Sequence, residues 1–200
     1  MASAPLRARM SVELFRSFVQ SRPDEEHWEL INGVAMMMAP ATRAHQRIGS
    51  NLESLLNAAL ESHHSPALVA YQRLGVNIGP DVQDYDPEPD VTVVDVESED
   101  ERYSDRFYLA AEIVSSSDRS RVESKREIYK LHEFCTCILT VQQKHVEVRV
   151  DLRTDAGWTE QILRKPEDLL VLSDFGLRCK LSDLYRGTRL VSRQHRQRSS

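Results

Sequence analysis

The chain has 200 residues, 40% of them hydrophobic and 28% charged, with a formal net charge of −5. That is enough for one domain whose sheet is covered by helices. No apolar run approaches the roughly 18 residues of a membrane span, and the N-terminus MASAPLRARM lacks a signal-peptide core, so the cytoplasm is the expected compartment. Acidic balance disfavours DNA binding, which rests on phosphate neutralisation. After Leu184, however, the chain carries Arg186, Arg189, Arg193, Arg196 and Arg198 and no acid. Residues 1–10 are expected to be a flexible N-terminus, 11–187 a single domain, and 188–200 a flexible basic tail or non-specific nucleic-acid tether. The three cysteines lack a second Cys/His pair at zinc spacing, so Cys135, Cys137 and Cys179 read as buried small hydrophobes.

Ser11 caps an expected helix through Gln20, with Leu14, Phe15 and Phe18 as its apolar face. Asn32-Gly33, flanked by HWELI and VAMMM, is a hairpin signal, because a type I′ turn needs positive φ at both central residues. Glu29 alternates with Trp28 and Leu30. It is either a solvent-facing strand residue or a group at a pocket edge. The next helix runs from about Arg43 to His63, with Ile48, Leu52, Leu55, Leu56, Ala59 and Leu60 as its buried stripe. His45 falls in its first turn, as a surface or capping group or as a contact for a phosphate or attacking water. Residues 67–78 are strand-like but interrupted at Gln72 and Arg73, the latter a surface residue or a phosphate contact.

Two apolar runs of strand length follow, Val91–Val94 and Leu109–Val114, separated by an acidic loop. Asp90 stands at the mouth of the first and Glu112 inside the second. A carboxylate in such a run costs several kcal/mol unless it is paired, hydrogen-bonded or bound to a cation. The helix after them begins near Arg119, capped by Ser117 or Asp118. At helical spacing Val122, Ile128, Tyr129 and Cys135 fall in one arc with Lys125 near its middle, so this lysine points toward the sheet. Two acids and a lysine around one pocket suit metal-assisted phosphodiester hydrolysis. A Glu112–Lys125 salt bridge shares the same geometry. Beyond the helix, strands are expected at 136–141, 145–151, 158–163 and 169–172. Asp174-Phe-Gly is a plain turn, since no other kinase element is present.

In order, the pieces WELINGV, AHQRI, PEPDVTVV, LAAEIVSSS and SKREIY resemble the Uma-two family of restriction-endonuclease-like proteins, within the PD-(D/E)XK nuclease superfamily. Ser116 stands where that family usually has a proline. The resemblance implies an α/β fold: a mixed central sheet flanked by helices, with extra antiparallel strands toward the C-terminus. It implies Pro89–Asp90 as the superfamily's "PD", Glu112 as the second acid and Lys125 as its lysine, here carried on a helix. Glu29 and His45 match further polar positions. The implied activity is a divalent-metal-dependent endonuclease on DNA. Asp90, Glu112 and the Ile113 carbonyl would hold Mg²⁺ (with Mn²⁺ able to substitute), Lys125 would orient or deprotonate the attacking water, and two copies would form a homodimer. The alternative is an inactive nucleic-acid-binding or regulatory module whose Asp/Glu/Lys network is structural.

Overall fold

In this computed structural model the described residues are 9–23, 25–63, 67–97, 100, 102–115 and 119–191. Helix α1 (Val12–Gln20) starts where Ser11 Oγ accepts the Leu14 N–H at 3.3 Å. Phe15 is buried, whereas Leu14, expected on the same face, is largely exposed. Strands β1 (Trp28–Ile31) and β2 (Val34–Met37) form the expected hairpin, with φ of 51° at Asn32 and 73° at Gly33. The hairpin is anchored because Leu30 and Asp86 exchange backbone hydrogen bonds, and Met10 N–H reaches Gly33 O. The edge of β1 away from β2 is therefore covered, and Glu29, Leu30 and Ile31 are buried.

Thr42 caps helix α2 (Arg43–Ser62), accepting from His45 N–H at 3.2 Å. Its Ile48, Leu52, Leu56 and Leu60 recur every four residues and are buried. Strand β3 (Leu68–Tyr71) breaks at Gln72 and Arg73 before the short β4 (Gly75–Val76). Then come β5 (Val91–Asp95), β6 (Tyr103–Ser104), which pairs in parallel with β4 inside the expected acidic loop, and β7 (Phe107–Val114). Helix α3 (Arg119–Tyr129) stops at Tyr129. Cys135 therefore lies beyond the helix, not in the arc with Lys125. The remaining elements are β8 (Cys137–Gln142), β9 (Val148–Thr154), β10 (Gly157–Leu163), β11 (Leu169–Leu172), a 3₁₀ turn at Ser173–Phe175, β12 (Leu177–Lys180) and α4 (Leu181–Leu184). Strand β9 starts three residues later than the sequence suggests.

The central sheet has the order β10-β9-β8-β7-β5-β3, parallel between β7 and β8 and antiparallel elsewhere. This is the mixed α/β architecture with added antiparallel strands. One face carries α2, α4 and the β11–β12 hairpin over Val91, Val93, Leu109, Ala111 and Ile113. The other buries Val94, Phe107, Ala110 and Ile138 against Tyr129 at the end of α3. Cys135 belongs to the second core and Cys137 to the first, so they do not share a face. Within the expected tail, Leu190 and Val191 pack on the first core. Residues 1–8, 192–200 and the expected caps Ser117 and Asp118 lie outside the described residues. Among the described residues, no helix is long and apolar enough to cross a membrane.

Candidate active site

Strand β7 outruns its antiparallel neighbour. Pairing with β5 runs from Val91↔Ala111 toward the other end of β5, while β7 continues beside β8 to Val114. The ladder position beyond Val91 is filled by a side chain: Asp90 Oδ2 accepts the Ile113 N–H at 2.7 Å. The first turn of α2 closes the gap from the other side, with His45 Nε2 3.1 Å from the same oxygen.

Glu112 lies on the face of β7 that meets α3. Lys125 and Tyr129 are four apart on that helix and so point the same way. Lys125 Nζ is 2.6 Å from Glu112 Oε1, and the Tyr129 hydroxyl donates to that oxygen at 2.6 Å. The ammonium also donates to Glu29 Oε1 at 2.5 Å and lies 3.5 Å from the Glu88 carbonyl oxygen. Glu29 Oε1 in turn accepts the Glu88 N–H at 3.0 Å, while its Oε2 is buried with no hydrogen-bond partner among the described residues. At 1% exposure Glu29 is inside, so the solvent-facing alternative is excluded, and Lys125 at 2% is no surface lysine. Glu29, His45, Asp90, Glu112, Ile113 and Lys125 line one cavity of about 300 Å³.

Among its buried side chains the acids Glu29, Asp90 and Glu112 outnumber the one cation, Lys125, and the titration behaviour follows. Burial pushes the Glu112 carboxyl up to about 7; Lys125 pulls it back, and Asp90 and Glu29 add repulsion. Burial alone would lower the Lys125 ammonium, but Glu112, Glu29 and Asp90 outweigh it and hold it above its ordinary value. These pulls oppose each other across one contact. Two donors at 2.6 Å on Oε1 favour the ionised Glu112, so the pair is a charged one under stress from surplus acid. Glu88, buried beside Glu29, is likewise pushed up to about 7. Asp90 behaves differently. Burial would raise it, but His45, Lys125 and the Ile113 N–H hold it below the usual aspartate range.

Among the described residues no group of three His, Cys, Asp or Glu side chains is set to hold a metal. The candidate donor set is thus two carboxylates and the Ile113 carbonyl. Such a set fits Mg²⁺, which takes one or two carboxylates and keeps several waters. The contacts above engage Asp90 Oδ2 and Glu112 Oε1, so Oδ1 and Oε2 are the oxygens suited to a hard cation. A surplus of buried acid is what such a cation would relieve.

The sequence profile of the Uma2 family, described as "Putative restriction endonuclease", matches residues 12–182. The chain belongs to the Uma2 family. Membership supports a nuclease in general terms. A crystal structure described as a "putative nuclease belonging to DUF820 from Anabaena variabilis ATCC 29413" shares the fold, with a TM-score of 0.68 over 88% of this chain and 97% of that one, at 16% identity. Among curated proteins none matches. Two groups at this Uma2 site escape sequence reasoning. Tyr129 is betrayed only by its four-residue spacing from Lys125, and Glu88 by its place between Pro87 and Pro89.

Proposed function

We propose that this Uma2 protein is a divalent-metal-dependent endonuclease that hydrolyses DNA phosphodiester bonds. The observation that carries the reading is a buried lysine shared by Glu29 and Glu112 in the same cavity as Asp90. In this proposal Asp90 and Glu112 hold Mg²⁺ or Mn²⁺, with the Ile113 carbonyl as a further oxygen ligand. The metal, when bound, supplies Lewis-acid stabilisation of charge on the phosphate. His45 anchors Asp90 Oδ2 and leaves Oδ1 for the cation. Glu29 holds Lys125 in place. Lys125, kept protonated by its acids, donates to the attacking water or to a phosphate oxygen; it orients and does not deprotonate. Nicking of supercoiled plasmid in Mn²⁺ tests this. The wild type should nick, stop in EDTA, and slow by at least about 100-fold in Glu112→Ala and Lys125→Ala. Undiminished nicking in both variants would remove the site from the reaction.

A second reading has its own support: Lys125 is buried with acceptors on several sides, as in a structural ion network. The chain would then be an inactive nucleic-acid-binding or regulatory module. DNA binding without metal-dependent nicking in the wild type selects it. A homodimer, proposed because cutting two strands suits two-fold symmetry, is tested by sedimentation.

A further inference from the structure

Arg73 is the residue the site leaves unexplained. Its φ of 55° puts a non-glycine side chain in the left-handed region, in the break between β3 and β4. Such strain persists where the surroundings or a function require it. Its neighbour Gln72 is tied to α2, donating to Glu53 at 2.5 Å and lying over Gly49, where a Cβ would come 3.0 Å from Gln72 Oε1. Arg73 has no such tie. Its half-buried side chain borders the cavity of about 300 Å³ that holds Glu112 and Lys125. It also borders a second of about 390 Å³ beside Gly49 and His45, and a third of about 340 Å³ beside Trp28 and Glu88. Asp90 is in the wall of the first two and Glu88 of the third, so the residue stands where three hollows meet the acidic centre.

Among the described residues, no hydrogen bond or ion pair within 4.0 Å holds this guanidinium. Arg16, Arg126, Arg149 and Arg164, by contrast, are all committed to carboxylates. Glu88 and His27 are titratable groups near enough to feel its charge. The buried acids Glu29, Asp90 and Glu112 repel a phosphodiester, and Arg73, like Arg121, is a cation in the cavity wall that can offset them. A guanidinium offers paired donors matched to phosphate oxygens.

Building on the nuclease reading, we propose that Arg73 binds a non-bridging phosphate oxygen of the nucleic-acid backbone beside the scissile phosphate, using the strained turn to hold its guanidinium over the junction of the three cavities. Arg73 is thus a substrate-binding residue that sets the path of the strand.

The test uses the full chain and a fluorescein-labelled DNA oligonucleotide. Ca²⁺ replaces Mg²⁺ so that no cleavage occurs, and anisotropy is followed from about 50 to 200 mM salt. Arg73→Asn is the variant of choice, because asparagine tolerates positive φ and should fold at least as well as the wild type. Its affinity should fall about tenfold and its log–log salt slope should weaken by about one. Its Mn²⁺ affinity by calorimetry and its melting temperature should hold. Arg73→Lys should recover part of the binding. Wild-type affinity and slope in Arg73→Asn would overturn the inference, as would a wild type that binds no DNA. If the wild type binds through Arg73 but never nicks with metal, the phosphate contact stands and the catalytic reading falls.

Discussion

Lys125 gathers more of the buried charge than any other side chain described above, and its removal should show how much of the core depends on it. Lys125→Met leaves Glu29 and Glu112 facing one another without a cation. Breaking a buried pair this way costs about 3–5 kcal/mol. Adding Glu29→Gln to the same chain should recover a clear part of that loss in urea unfolding. A double variant no more stable than the single one would mean that the acids do not repel through the lysine's place. Tyr129→Phe removes one donor from Glu112. It should cost about 1–2 kcal/mol while leaving α3 folded, read by thermal melts and circular dichroism. A third group sits away from the site. His132 stacks on Phe107 with ring centroids 4.2 Å apart, hydrogen-bonds the Asp105 carbonyl oxygen through Nε2, and buries Nδ1 with no partner among the described residues. Burial lowers its pKa below the ordinary 6.5, and protonation would add an N–H with nothing to accept it. The unfolded chain therefore binds more protons between the folded value and 6.5. The contribution is fully present above 6.5 and is lost as pH falls below it. Urea midpoints taken down through that window should decline more steeply in the wild type than in His132→Phe.

At the scale of elements, legibility in the sequence tracks how local the cause is. The β1–β2 turn, the α2 stripe, the strand that starts after Asp90 and the one holding Glu112 follow from turn chemistry and from apolar spacing. The direction of Lys125 follows from its place among apolar neighbours on α3. What escapes is tertiary. Leu14 has helical spacing but no surface to cover it. Glu29 is buried because the β1–β2 hairpin docks on the Asp86 segment, a contact between residues far apart in sequence. Asp86 itself is buried and paired with Arg16 at 2.8 Å, which nothing in either local sequence announces. The Thr42 cap shows how an element end aims a functional group. Its oxygen fixes His45 N–H at 3.2 Å and its hydroxyl donates to Gln143 at 2.8 Å. Thr42→Ala should cost about 1 kcal/mol. Under the nuclease reading it should also slow nicking by loosening the hold of His45 on Asp90; unchanged nicking would detach His45 from the reaction.

For the whole molecule, a sheet with a frayed internal edge opens onto a hollow lined by buried acids. The ladder between β5 and β7 stops where Asp90 takes over, α2 brings histidine from one face, α3 brings lysine from the other, and the docked hairpin supplies Glu29 behind them. A cation binding only the folded chain should stabilise it, by about 2.7 kcal/mol at a hundredfold excess over its Kd. A melting temperature insensitive to Mn²⁺ would count against such binding. The most direct measurement is anomalous diffraction from a crystal of this protein soaked in Mn²⁺. The expected result is a peak bonded to one oxygen each of Asp90 and Glu112, with Lys125 beside it. A peak elsewhere alone, or none while Lys125 and His45 keep both acids to themselves, would contradict it.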